Sequence, residues 1–174
     1  LGSVDFWFSA GDVLPVEVGH RWREKFGKTI FQGYGATETC GGVAMCPTDV
    51  ENPPKSIGRT VASKSVKIVE PLMLTPVDRG EPGELLVRGP GVMKEYYKNP
   101  EATEATLKDG WLLTGDIGEI DADGFLRITD RKKDLIIGRN AWRTAKKIIS
   151  LHIDLIFFCF IFRSSQSASW FLGF

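Results

Sequence analysis

Thr29-Ile30-Phe31-Gln32-Gly33-Tyr34-Gly35-Ala36-Thr37-Glu38-Thr39-Cys40-Gly41-Gly42 is the stretch whose reading decides the fold class. Its first four residues read as a short strand, and its glycines break the pattern into a loop. Upstream, Val4 to Phe8 is rich in strand-forming residues and ends in Ser9-Ala10-Gly11-Asp12. Pro15 can open a helix whose Val18, Trp22 and Phe26 recur at four-residue spacing, and Gly27 supplies its stop. Strand, helix, strand and glycine loop make an α/β signature, with the loop at the carboxyl end of a strand, where such sheets bind ligands.

From Asn52-Pro53-Pro54 onward the pattern changes to short strands: Ser65 to Val69, Glu84 to Arg88, Trp111 to Leu113, Ile117 to Ile120 and Phe125 to Thr129. Turn signals at Gly80-Glu81-Pro82-Gly83 and Asp123-Gly124 separate them, so this half reads as a β-rich subdomain. One short helix interrupts it, capped by Asn99, opened by Pro100 and ending at Leu107.

The 174 residues hold 22 Lys plus Arg and 22 Asp plus Glu, which speaks against a basic nucleic-acid binder. The neutrality is a cancellation. Residues 1–138 carry 17 basic and 21 acidic side chains, a net of −4, whereas residues 139–174 carry 5 and 1, a net of +4. The second segment also holds six of the 11 Phe and one of the 19 Gly, so the two read as unlike units. Cys40, Cys46 and Cys159 have no metal-ligand spacing and read as reduced thiols of a cytoplasmic protein. The start of the sequence has no signal-peptide pattern and reads as the middle of a longer chain. Ile148 to Phe162 is largely apolar but falls short of the ~20 residues of a membrane span, leaving surface docking of the Phe-rich tail as the membrane reading.

Three segments suggest chemistry. In Gly33-Tyr34-Gly35-Ala36-Thr37-Glu38 the glycines let backbone approach a ligand, and Tyr34 offers a ring to a flat base. Thr37 offers a hydroxyl to phosphate and Glu38 a hard oxygen to magnesium, although a Gly-Tyr-Gly turn closing a strand has the same appearance. In Thr114-Gly115-Asp116 the carboxylate at a strand end can accept from two vicinal hydroxyls, or can be a turn aspartate. Asp130-Arg131-Lys132-Lys133-Asp134 reads as a solvated linker, or as a place from which Arg131 reaches a phosphate or ribose.

Together, in this order and spacing, these segments resemble the adenylate-forming enzymes, and most of all their acyl-CoA synthetase branch. The resemblance rests on Tyr34 to Glu38, Gly80-Glu81-Pro82-Gly83-Glu84-Leu85, Trp111 to Asp116, Gly124-Phe125-Leu126 and Asp130 to Ile137, and covers residues 3–138. It implies the end of a large N-terminal adenylation domain: an α/β nucleotide-site segment (1–50), a β-rich subdomain (51–129) and a hinge (130–138), with the C-terminal domain missing and a non-homologous tail at 139–174.

The activity it implies joins ATP and a carboxylic acid, in this branch a fatty acid, into an acyl-adenylate, from which coenzyme A displaces AMP. Thr37 and Glu38 are then the catalytic candidates, with Glu38 holding magnesium. Gly11, Asp12, Gly33, Tyr34, Gly35, Thr37, Asp116 and Arg131 are the nucleotide-binding candidates, and Lys133 is the hinge residue. The family's upstream phosphate loop and downstream catalytic lysine have no counterpart in the sequence, and Lys146 and Lys147 match neither. The expectation is therefore a synthetase fragment not competent alone, with a non-catalytic adenine-nucleotide-binding remnant, or an adenylation domain of another branch of the superfamily, as the alternatives.

Overall fold

Pro15 and Gly27 bracket the first helix as their chemistry requires. Gly27 takes a left-handed φ of 63° and donates its N–H to the Arg23 carbonyl at 2.8 Å, satisfying an end carbonyl that the helix leaves open. The computed structural model describes residues 3–138, 141–144 and 158–162. In chain order the elements are β1 (Phe6–Ala10), α1 (Val16–Phe26), β2 (Ile30–Ala36), a 3₁₀ turn (Thr37–Thr39), β3 (Gly41–Met45), β4 (Gly58–Thr60) and β5 (Ser65–Val69). There follow β6 (Gly83–Arg88), α2 (Pro100–Thr106), β7 (Leu107–Lys108), β8 (Trp111–Ile120), β9 (Phe125–Arg131), a second 3₁₀ turn (Lys132–Asp134), β10 (Leu135–Gly138), β11 (Ala141–Thr144) and β12 (Phe158–Phe162).

The α/β reading holds for the first part. β1 and β2 pair in parallel, Trp7 opposite Ile30 and Ser9 opposite Gln32, with α1 as the crossover between them. Trp22 of α1 meets Trp7 of β1 with ring centroids 5.0 Å apart, and Phe26 stacks on Trp22 at 4.4 Å, so the four-residue stripe is what seats the helix. Everything after β2 is antiparallel. The strands join in the order β12-β1-β2-β3-β4-β9-β8-β6-β5, with β7 on β8, while β10 and β11 form a separate hairpin. Segments 1–50 and 51–129 thus share one sheet, stitched where β3 pairs with β4.

Two readings of local structure are corrected. Gly33-Tyr34-Gly35 is not a loop but the second half of β2, and the turn starts only at Thr37. Cross-strand bonds to β3 hold these glycines extended, which a reading from glycine content alone misses. Likewise Thr114-Gly115-Asp116 does not end a strand but lies inside the ten-residue β8. Glycine-containing β3 and β4 were not anticipated at all; their formation is decided by neighbours in the sheet rather than by propensity.

The core sits on the antiparallel side. Val43, Ala44, Ile57, Ile68, Leu85, Val87 and Leu126 form one buried cluster, with Tyr34, Val66, Ile120 and Ile128 packed against it. β6 is buried from Gly83 to Val87, on both faces, so its sequence runs apolar instead of alternating. The capped helix is confirmed: the Asn99 side chain accepts from the Ala102 N–H at 3.1 Å, and α2 begins at Pro100. Cys40 and Cys46 are free thiols, and burial raises the Cys46 pKa. No helix among the described residues is long and apolar enough to cross a membrane. Of the tail, β11 and β12 are described, β12 pairing antiparallel with β1; Lys146, Lys147 and the other expectations for 145–157 and 163–174 lie outside the described residues.

Gly35 is a place where only glycine fits, because a Cβ there would stand 2.4 Å from the Gly41 carbonyl oxygen. Gly35→Ala is expected to lower stability by about 1–3 kcal/mol through overpacking, seen as a lower urea midpoint with unchanged slope.

Candidate functional site

Asp116 owes its position to an irregularity in β8. Across β6, Glu84 faces Ile117 and Leu86 faces Leu113, so two more residues of β8 than of β6 lie between the paired positions. Thr114, Gly115 and Asp116 make up this bulge. Gly115 takes φ 72°, a left-handed conformation that glycine adopts without a steric penalty. Three bonds hold it: the Thr114 hydroxyl donates to the Leu85 carbonyl at 2.7 Å, the Asp116 N–H to the Thr114 hydroxyl oxygen at 3.1 Å, and the Gly115 N–H to Glu84 Oε1 at 3.2 Å.

The bulge turns the Asp116 carboxylate towards β2 and β9. Tyr34 Oη donates to Asp116 Oδ2 at 2.5 Å, bridging residues 82 positions apart, and Arg131 Nε lies 3.3 Å from Oδ1. The short phenol contact is that of a charge-assisted bond. Burial, and then the bond to the Asp116 carboxylate, raise the Tyr34 pKa far above that of a free phenol, so the hydroxyl remains a donor. The Asp116 side chain is 13 % exposed and that of Arg131 62 %. A pair so open on one side contributes about 0.2–1 kcal/mol, so a ligand hydroxyl can replace it at little cost. A carboxylate has about four lone-pair positions, and Tyr34 and Arg131 leave room for vicinal hydroxyls.

The 3₁₀ turn after β2 carries the second group. Thr37 is exposed, Glu38 half-buried and Thr39 fully buried. The Thr39 hydroxyl accepts from the Ala36 N–H at 3.0 Å and lies 2.8 Å from both the Ala36 and Gly41 carbonyls, which closes the turn. Glu38 Oε1 accepts from Tyr96 Oη at 2.8 Å, and this bond to the carboxylate, more than burial, raises the Tyr96 pKa. Gly11 and Asp12 are exposed at the carboxyl end of β1, the parallel neighbour of β2; Gln32 braces their loop by accepting from the Leu14 N–H at 2.7 Å and donating to the Ser56 carbonyl at 3.1 Å. Gly33 and Gly35 lie within β2. Among the described residues no cluster of three or more His, Cys, Asp or Glu could hold a metal ion by itself. Magnesium bound through nucleotide phosphates needs only one or two carboxylates, and Glu38 meets that requirement.

The structure therefore brings Tyr34, Asp116 and Arg131 into contact, and sets Thr37 and Glu38 directly after the strand that carries Tyr34. Lys133 is exposed in the second turn and joins neither group. Three contributors were missed. Lys132 is not part of a solvated run: its Nζ donates to buried Glu84 Oε2 and to the Pro71 carbonyl, both at 2.7 Å. Glu84, a charge inside the apolar run Gly83 to Val87, was the available signal. Tyr96 and Lys64 carried none; Lys64 Nζ donates to the Thr39 carbonyl at 3.1 Å.

The profile of the family described as AMP-binding enzyme matches residues 1–97, more than half of the chain, and the chain belongs to that family. A long-chain-fatty-acid–CoA ligase of Yersinia pestis is 42 % identical over 153 residues, covering 85 % of this chain and 27 % of the relative. One of Escherichia coli O157:H7 is 46 % identical over 131 residues, covering 74 % and 23 %. Apo MatB from Rhodopseudomonas palustris superposes with a TM-score of 0.71 at 32 % identity, covering 76 % of this chain and 26 % of MatB. The O-succinylbenzoate coenzyme A synthetase MenE of Bacillus subtilis, in complex with ATP and magnesium, gives 0.68 at 36 %, covering 78 % and 28 %. The chain spans about a quarter of the length of the curated relatives it matches.

Lys132→Met leaves the buried Glu84 charge without its cation, and an expected loss of about 1–3 kcal/mol should appear in urea unfolding. Glu84→Gln combined with Lys132→Met should restore part of that loss, since neither charge remains. Tyr34 binds its proton more tightly folded than unfolded, so its contribution is complete below the unfolded pKa of about 10 and is lost as pH rises through the higher folded value. Tyrosinate absorbance should therefore lag in the native protein above about pH 10, and Tyr34→Phe should remove part of the lag.

Proposed function

We propose that the chain is the nucleotide-holding section of an AMP-forming carboxylate–CoA ligase acting on fatty acids. The contact of Tyr34, Asp116 and Arg131, which joins β2 to the hairpin of β8 and β9, carries this reading. In it the Tyr34 ring, backed by the core cluster, lies against adenine, and Asp116 accepts from both ribose hydroxyls once Arg131 swings out to the ribose or α-phosphate. Thr37 donates to the α-phosphate, while Gly11 and Asp12 line the approach from the neighbouring strand end. A carboxylate oxygen of the acid attacks the α-phosphorus and pyrophosphate leaves; the coenzyme A thiol then attacks the acyl carbonyl and AMP leaves.

Glu38 would hold magnesium, which supplies charge neutralisation at the phosphates during this attack. The fatty-acid assignment draws on the names of the long-chain-fatty-acid–CoA ligases. This chain spans about a quarter of the length of those relatives, and in this reading it binds adenylate by itself without forming thioester. In this reading Lys133, which follows the tethered Lys132, is the hinge residue.

Calorimetric titration of AMP and of a non-hydrolysable acyl-adenylate analogue into the folded protein tests the proposal. Binding is expected, stronger for the analogue, and Asp116→Ala should weaken it by about 1–3 kcal/mol through the loss of charged hydrogen bonds. Absence of binding to either would refute the assignment, and an unchanged affinity in Asp116→Ala would refute the ribose contact.

A further inference from the structure

Glu38 is held from outside its own turn. The segment between β6 and α2 lies against it, with the Met93 N–H donating to the Glu38 carbonyl at 2.7 Å and Tyr96 Oη to Glu38 Oε1 at 2.8 Å. Lys64 ties the same two pieces together, its Nζ donating to both the Thr39 and the Pro90 carbonyls. The approach is close enough that a Cβ on Gly91 would stand 3.3 Å from the Thr39 carbonyl oxygen. Tyr96 is itself anchored: its N–H donates to the Thr103 hydroxyl oxygen of α2 at 2.9 Å, and its carbonyl accepts from the Asn99 N–H at 3.0 Å. The capped end of α2 thus fixes the Tyr96 backbone, and the phenol in turn fixes one carboxylate oxygen.

We infer that Tyr96 is the positioning residue for metal binding at Glu38: by occupying Oε1 it holds the carboxylate in one orientation and leaves Oε2 as the oxygen offered to a nucleotide-bound magnesium ion. This rests on the nucleotide-site reading above. A freely rotating glutamate loses side-chain entropy when it captures a cation, whereas one already held by a phenol does not lose it again. Tyr96 itself need touch neither nucleotide nor metal.

The test is the ratio of the ATP dissociation constants measured calorimetrically in the presence of EDTA and of saturating magnesium chloride, using the full chain. Wild type is expected to bind ATP more tightly with magnesium, and Tyr96→Phe to reduce that ratio about tenfold, the scale on which outer hydrogen-bond partners support metal ligands. Glu38→Gln sets the floor of the scale. Removing one hydroxyl keeps the ring in place, and a thermal melt verifies folding. A general loosening would weaken both arms alike and leave the ratio at its wild-type value; that result overturns the inference. Titration of magnesium into ATP-saturated protein gives a second reading, with the half-saturation point of Tyr96→Phe expected about tenfold higher and an unchanged point counting against the role. A wild-type ratio of one would instead overturn the magnesium assignment of Glu38 itself, and the inference with it.

Discussion

A carboxylate buried inside a fully covered strand is the constraint around which the site is arranged. Glu84 is 1 % exposed in β6, and an isolated charge there would be prohibitively unfavourable. Its two oxygens are satisfied by different parts of the chain: Oε1 by the Gly115 N–H of β8, Oε2 by Lys132 just past β9. Both partners are therefore obliged to be where they are. The bulge in β8 cannot relax into regular pairing without leaving Glu84 short of a donor, and the turn after β9 cannot drift without leaving it short of a cation. One buried charge thus fixes the position of Asp116 and of the turn at Lys132–Asp134 together.

Asp116 then draws the two parts of the sheet into one site. Tyr34 comes from β2, which closes the parallel βαβ unit, and Asp116 and Arg131 come from the antiparallel strands β8 and β9. The Tyr34 hydroxyl bond is buried enough to persist, whereas the Arg131 contact is exposed and weak. A rigid acceptor flanked by one permanent donor and one exchangeable cation suits a ligand that brings its own hydroxyls and phosphates. The turn at Thr37–Thr39 is built in a complementary way, with buried Thr39 carrying the structure so that Thr37 and Glu38 can remain available.

The Thr-Glu turn and the Tyr96 segment show a layered design. The candidate residues Glu38 and Asp116 are backed by a second layer of hydrogen-bonded side chains. Lys64, Thr39, Thr103 and Asn99 form that second layer on one side, Glu84, Lys132 and Thr114 on the other. Such support lets a site sit on short turns and bulges without depending on loop order.

Amino-acid pattern alone determined the helix from Val16 to Phe26, the capped helix at Pro100, most of the strand positions and the identities of Tyr34, Glu38, Asp116 and Arg131 as site candidates. These features depend on local chemistry: a proline φ, a left-handed glycine, an amide cap, a carboxylate beside a glycine. Tertiary structure alone decided that Gly33-Tyr34-Gly35 is strand, that Thr114 to Asp116 is a bulge within a strand, and that Lys132 is a buried-charge partner instead of a solvated lysine. The reason is the same in each case. Whether a glycine pairs or turns, and whether a lysine meets water or a carboxylate, depends on groups that the chain places alongside it from 7 to 48 residues away, and no periodicity in the sequence records that distance.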